Sequence, residues 1–101
     1  MVLILTTADK KTTAVKIGKA LLKKRLIACY NLFPMKSAYW WKGKIVKTQE
    51  FLLILKTLKK NFRAIEKYIK QNSSYETPEV VAIKSENVST PYLDWIKSEI
   101  A

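Results

Sequence analysis

The stretch from residue 37 to residue 57 (SAYWWKGKIVKTQEFLLILKT) constrains the fold more than any other part of the chain. It predicts a β-hairpin that turns around residues 42–44, either as a type I′ turn or as a three-residue loop with Gly43 left-handed. Successive side chains of a strand point to opposite faces of a sheet, so the neighbouring Trp40 and Trp41 belong to two different surfaces. Residues 51–55 (FLLIL) are also apolar on both faces, as in a sheet that is covered on both sides.

The elements around the hairpin predict a single α+β domain over residues 1–101. Further strands are predicted at residues 2–6, at residues 26–33 up to Pro34, and at residues 79–86. With two intervening helices, the predicted order is β-α-β-β-α-β, in which residues 26–33 and the hairpin together supply the second and third strands. That order, with a long central hairpin, is typical of the ferredoxin-like fold.

Three helices are predicted from apolar spacing and end residues. The first begins after Asp9 or Thr12, either of which can act as its N-cap. The second runs from about residue 59 to residue 71. Thr90 as N-cap, with Pro91 at the first helical position, predicts an extra helix at the C-terminus.

A ferredoxin-like sheet carries both of its helices on one face and leaves the other face open. A chain of 101 residues has no further element that could cover that face fully. Exposing a tryptophan forgoes the burial of about 150–250 Å², or up to ~4–6 kcal/mol. We therefore predict that other copies of the chain cover the open face, in an obligate oligomer.

The net charge of +11, from 19 Lys and Arg against 8 Asp and Glu, raises the question of a nucleic-acid partner. Only Arg25 and Arg63 are arginines, the residue type best suited to reading bases. The lysines are scattered along two predicted helices, where solvated helix faces are the simpler interpretation. We do not expect nucleic acid to be the partner of this protein.

Several classes of function lack the residues that they need. The chain has no histidine, and its two glycines, Gly18 and Gly43, cannot build a phosphate-binding loop. We therefore do not expect an enzyme. The single Cys29 cannot form an intrachain disulfide, and the apolar MVLIL start is too short to span a membrane. These features predict a cytoplasmic protein without a membrane partner.

A few polar residues stand in apolar or aromatic surroundings. Glu50 and Lys56 flank the FLLIL run on the same strand face, and Tyr75 and Glu79 lie near the loop before the last strand. An ordinary ion pair at strand ends is favoured from these residues alone. The functional alternative is a polar pocket, in which Cys29 is either a soft ligand or a small core residue.

The order and spacing of five segments resemble one family. The segments are RLIACYNLFP, YWWKGKI, Glu50 with the nearby LILKT, YETPEV and YLDWI. Together they are similar to the CutA divalent-cation tolerance family, and the similarity covers essentially the whole chain. The resemblance implies a ferredoxin-like homotrimer, related in architecture and assembly to the P-II signal transducers. It also implies a function in tolerance of, or response to, copper and other divalent ions.

Five residues match the family's intersubunit cleft, which is a site for a metal ion or a small ligand: Cys29, Trp41, Glu50, Lys56 and Tyr75. Cys29 and Glu50 are the candidate metal ligands, and Cu²⁺ is the ion that the resemblance suggests. Many members carry histidine where this chain has residues 72–74 (NSS), so tight copper binding would need Cys29 with carboxylates. A P-II-like module for an anionic metabolite or a partner protein is the alternative function, and a basic nucleic-acid binder is the third.

Overall fold

A computed structural model describes all 101 residues as a four-stranded antiparallel sheet with three helices. The strands are β1 (Val2–Ala8), β2 (Cys29–Trp41), β3 (Lys44–Thr57) and β4 (Val81–Lys84). The helices are α1 (Lys11–Lys23), α2 (Phe62–Asn72) and α3 (Thr90–Glu99), and a short 3-10 turn (Lys59–Asn61) precedes α2. The strand order is β2-β3-β1-β4, which confirms the predicted α+β fold and its β-α-β-β-α-β order with a terminal helix.

The hairpin of β2 and β3 is longer than the rest of the sheet. The strands pair without interruption from Cys29↔Lys56 to Trp41↔Lys44, whereas β1 pairs with β3 only as far as Phe51. The two turn residues, Lys42 and Gly43, both have positive φ, at 50° and 79°. Positive φ at both central positions is the type I′ turn, one of the two predicted alternatives.

The core lies between one face of the sheet and the helices α1 and α2. Its fully buried members include Ile4 of β1, Leu53 and Leu55 of β3, and residues of both helices, Leu21 and Ile65 among them. Side chains alternate along β3, so Leu53 and Leu55 share this face, and Glu50, Leu52, Ile54 and Lys56 lie on the other face, called the open face below. Trp41 pairs with Lys44, which has the same strand parity as Glu50, so Trp41 lies on the open face and its neighbour Trp40 lies on the helix side.

Helix α3 covers part of the open face. The ring of Tyr92 lies 5.8 Å from Lys56 Nζ, on the face away from α1 and α2. Ile96 is fully buried, and an Arg25–Glu99 ion pair of 2.8 Å joins the end of α3 to the segment after α1. The remainder of the face is uncovered within one chain, since Phe33, Val81 and Ile83 are each about half exposed. No helix combines the length and apolarity needed to cross a bilayer.

The second strand was predicted wrongly, because it does not end at Pro34. It begins at Cys29 and continues through Pro34 to Trp41. β2 is an edge strand, so one side of its backbone has no partner strand, and a proline there removes no ladder hydrogen bond. The last strand is shorter than predicted, since β4 contains only Val81–Lys84.

Both predicted helix caps were also wrong. Lys10 stands at the N-cap of α1 and makes no side-chain cap bond, whereas Asp9 accepts a hydrogen bond from the Ser74 hydroxyl at 2.7 Å. Ser89, not Thr90, is the N-cap residue of α3, which moves Pro91 to the second helical position. Proline's fixed φ suits the first turn of a helix, so the pattern located the turn but not its first residue.

Thr6 of β1 carries a buried hydroxyl without a partner. It is 1% exposed, and its Oγ1 makes no hydrogen bond. Because an unsatisfied buried polar group costs about 1–3 kcal/mol, we expect Thr6→Val to raise the free energy of unfolding by roughly 1 kcal/mol in urea titrations at a fixed chain concentration. Thr57→Val is the matched control, since the Thr57 hydroxyl donates to the Leu26 carbonyl at 2.6 Å and its loss should destabilise. Equal destabilisation by both changes would contradict the expectation.

Candidate functional site

A cleft of about 570 Å³ lies on the open face, near the point where β2 and β3 extend beyond the end of β1. Alternate residues of β2 and β3 form its floor, among them Met35, Tyr39, Trp41 and Glu50, with Thr7 of β1. The segment from Ser74 to Glu79 forms the opposite wall. Its size falls within the range of small-molecule sites in proteins, about 300–1,000 Å³.

Glu50 and Tyr75 join the two walls of the cleft. The Tyr75 hydroxyl donates a hydrogen bond of 2.6 Å to Glu50 Oε2. Glu50 is only 7% exposed and is the only buried charged residue of the chain. The wall segment is also held by the Ser74–Asp9 bond at 2.7 Å and by a bond from the Tyr75 backbone N–H to Ser73 Oγ at 3.1 Å. These bonds fix the phenol and the carboxylate in the lining of the cleft.

The pKa of Tyr75 is raised well above the ordinary tyrosine value of 10.0 by burial, then by the hydrogen bond to Glu50 and by the charge of that carboxylate. The folded state thus holds the phenolic proton more tightly than the unfolded chain does. The resulting stabilisation is fully present below pH 10 and is lost as the pH rises towards the elevated pKa. Throughout the neutral range Tyr75 is a neutral donor to Glu50.

A titration of the tyrosines tests this arrangement. In the wild-type protein, we expect the Tyr75 phenol to resist ionisation above pH 10, as measured by ultraviolet difference absorbance. Tyr75→Phe should remove that resistant phenol, whereas the matched change Tyr92→Phe, outside the cleft, should leave it. If Tyr75→Phe leaves a resistant phenol in place, Tyr75 is not the shifted group.

The cleft is acidic in a strongly basic chain. Glu50, Glu76 and Glu79 line it, and Asp9 is bonded to a lining residue, so half of the 8 acidic residues surround this one cavity. None of the 19 Lys and Arg residues lines it. Three aromatic rings, those of Tyr39, Trp41 and Tyr75, complete the walls. This combination favours a positively charged occupant over an anion.

The structure brings together three of the five predicted site residues. Trp41, Glu50 and Tyr75 line the cleft. Cys29 and Lys56 are paired across β2 and β3 at the far end of the hairpin, six residues from Glu50, or about 20 Å along a strand. An intersubunit cleft that contains all five would need a second copy of the chain. Cys29 has only a weak contact to the Asn31 side chain, 3.9 Å from its sulfur.

The metal ligands of a copper site are not assembled within one chain. No group of three or more His, Cys, Asp and Glu side chains lies close enough to share an ion. Apart from the Met35 thioether, the donors in the cleft are carboxylate and hydroxyl oxygens, which suit hard cations, and the cleft contains no imidazole or thiolate. The residues of a single chain therefore do not fit a dedicated copper centre.

Sequence reasoning missed Tyr39, Glu76 and Ser74 as cleft residues. Tyr39 stands two positions before Trp41, and its strand parity could have placed it on the same face. Glu76 and Ser74 lie in a loop without periodicity, so no pattern in the sequence indicated their direction.

Comparison with known proteins identifies the family. The family model described as CutA1 divalent ion tolerance protein matches residues 2–99. The divalent-cation tolerance protein CutA of Thermotoga maritima is 39% identical over 100 residues, which cover 99% of both chains.

Solved structures agree over the whole chain. The structure of the protein titled periplasmic divalent cation tolerance protein CutA from Archaeoglobus fulgidus has a TM-score of 0.97 at 40% identity and covers 100% of both chains. CutA1 from Pyrococcus horikoshii has a TM-score of 0.95 at 36% identity, covering 100% of this chain and 99% of the other. With a family match over nearly every residue and the same fold, this chain belongs to the CutA family of divalent-cation tolerance proteins.

Proposed function

We propose that this protein acts in the tolerance of, or response to, divalent cations, as a non-enzymatic cytoplasmic homotrimer whose acidic cleft binds the cation. The observation that carries the proposal is the buried Glu50 carboxylate, at the centre of a cleft that three glutamates and no cations line. A divalent ion there would offset the cost of holding a carboxylate out of water.

The ligand chemistry supports general divalent binding rather than selection of copper. One or two of the cleft carboxylates, with hydroxyl oxygens and retained waters, would be the ligands of a hard cation, since no three of them lie close enough to share an ion. Because Tyr75 keeps its proton, it acts as the donor that orients Glu50 and not as an anionic ligand. Copper specificity would require Cys29 of a second copy to approach the cleft.

The homotrimer is supported by the apolar surface that one chain leaves uncovered. Phe33 is 47% exposed on the open face, and Trp40 and Ile45 at the hairpin tip are 72% and 60% exposed. Burying such side chains contributes about 1.5–3 kcal/mol each. Light scattering in solution should give the mass of three chains of 11.7 kDa each.

The alternative of a P-II-like module for an anionic metabolite fits the cleft poorly. An anion placed there would meet three carboxylates and no compensating Lys or Arg. The charges of the lining residues therefore favour the cation over the anionic metabolite as the occupant of this cleft.

Glu50→Gln tests the proposed function. We expect titration calorimetry with Mn²⁺, Mg²⁺ and Cu²⁺ to show at least a tenfold loss of affinity in this variant, since mutation of even an outer-shell partner typically lowers metal affinity 10–100-fold. Glu86→Gln removes the same charge at an exposed residue that makes no ion pair, and it should bind as the wild type does. Equal affinities for all three proteins, with the trimer intact, would count against the cleft as the cation site.

A further inference from the structure

The positive charge of the chain is concentrated on one side of the sheet. The helical layer, defined as residues 10–24 and 59–72 around α1 and α2, holds eleven of the 19 cations and one of the 8 acids. Its net charge is +10, out of +11 for the whole chain. The rest of the molecule, which contains the acidic cleft, has 8 cations and 7 acids and is therefore close to neutral in total. The lysines that are scattered in the sequence are therefore gathered on one surface by the fold.

These cations are available to a partner. All eleven are exposed, and the layer's one acid, Glu66, already pairs with Arg63 at 3.2 Å and with Lys70 at 3.5 Å. The other nine have no carboxylate within ion-pair distance: Lys10, Lys11, Lys16, Lys19, Lys23, Lys24, Lys59, Lys60 and Lys67. A net charge of +10 on one side of a small domain produces repulsion among its cations, so an anionic partner would relieve that repulsion.

The chemistry of the layer excludes several kinds of anionic partner. Leu22 is the only exposed large apolar side chain in it, and the others lie on the sheet, the hairpin or α3. A membrane-inserted surface or a protein hot spot needs more apolar and aromatic area than that. Lysines on flexible stems are suited to phosphates, which require charge without fixed geometry.

We propose that the helical layer binds the backbone phosphates of a nucleic-acid duplex without reading its base sequence. The 13 residues of α1 span about 20 Å, the length of roughly six base pairs. The groove between α1 and α2 adds hydroxyl and amide donors from Thr12, Thr13 and Asn72 beside Lys16. A single arginine in the layer leaves little capacity for direct base recognition.

This surface is independent of the proposed function. The acidic cleft and the uncovered side chains of Phe33, Val81 and Ile83 lie on the open face, and the helical layer lies on the opposite side of the sheet. Copies that associate through the open face leave the helical layers accessible. Cation binding in the cleft and phosphate binding by the layer can therefore succeed or fail separately.

Two charge-matched variants of the full chain test the proposal. The layer variant carries Lys16→Gln, Lys19→Gln, Lys23→Gln and Lys67→Gln, and the control variant carries Lys44→Gln, Lys47→Gln, Lys84→Gln and Lys97→Gln. Both lose four positive charges from exposed positions, and Lys and Gln have similar helix propensities. Binding to fluorescent DNA and RNA duplexes of one sequence is measured by anisotropy from low to physiological salt, after light scattering has shown equal assembly.

We expect the wild type and the control variant to bind both duplexes with a steep salt dependence, and the layer variant to bind at least tenfold more weakly. For DNA, the slope of log K against log salt should become shallower by about 0.9 for each phosphate that the variant no longer neutralises. Equal weakening of both variants would assign any binding to net charge and overturn the proposal, as would the absence of wild-type binding at low salt. Retention of the wild type by vesicles of anionic phospholipid, without duplex binding, would assign the layer to membranes and also overturn it.

Discussion

Phe33→Lys should convert the proposed trimer into a monomer of 11.7 kDa, measured by light scattering. Phe33 lies on the open face of β2, opposite Leu52 of β3, and is 47% exposed in the single chain. An ammonium group placed between copies would lose its hydration without gaining a partner, which costs several kcal/mol for each subunit. Three such charges, related by symmetry, would also repel one another.

Leu22→Lys is the matched control for this change. Leu22 is also an exposed large apolar residue, but it lies on α1, on the other side of the sheet. The same substitution there should leave the mass of the assembly unchanged. A stable trimer of the Phe33→Lys variant would refute the assignment of the open face as the subunit interface.

Gly18→Ala should destabilise the protein, although alanine is the better helix former. A Cβ at Gly18 would stand 2.9 Å from three ring atoms of Tyr30, closer than real contacts allow. The ring lies against the α1 backbone and cannot simply swing aside as a flexible chain end would. Overpacking should lower the free energy of unfolding by about 1–3 kcal/mol. The better helix propensity of alanine offsets up to ~1 kcal/mol of that loss, so we expect a net destabilisation.

A second background isolates the cause of that destabilisation. With Tyr30→Leu in place, the close approach of the ring is removed, and Gly18→Ala should then stabilise the helix by roughly 0.5–1 kcal/mol. Urea titrations of the four proteins at one chain concentration form a double-mutant cycle. If the effect of Gly18→Ala is the same in both backgrounds, the close approach of Tyr30 is not its cause.

Parts of the fold governed by periodicity were predictable from the sequence. The continuous apolar run of residues 51–55 and the adjacent Trp40 and Trp41 indicated a two-faced sheet, and the apolar spacing of both helices indicated the core. The predicted strand end at Pro34 was wrong because the effect of a proline depends on whether its strand is central or at an edge. That position is a property of the whole sheet. The caps failed for a similar reason, since Asp9 is used by Ser74 of a distant loop.

The site was predictable only in part. Strand parity placed Glu50 and Lys56 on one face, but their spacing of six residues, about 20 Å along a strand, is too long for both side chains to line one pocket of a single chain. The hydrogen bond of Tyr75 to Glu50 depends on how the loop after α2 folds back, which no local pattern determines. The clustering of lysines on the helical layer could not be predicted from single segments of the sequence either, because the entire hairpin separates α1 from α2.

The type I′ turn at Lys42 and Gly43 also determines which side chains form the cleft. Because the hairpin pairs without a bulge from this turn to Cys29, the turn length sets which β2 residue lies opposite each β3 residue. If the loop stayed two residues long, one residue inserted in the turn would keep Glu50 in register with β1 but rotate every β2 side chain to the other face. Trp41 would then leave the cleft and Trp40 would enter it. Strand register in this protein is thus a determinant of binding chemistry, and we expect relatives that retain this hairpin and cleft to accommodate an inserted residue only by lengthening the loop.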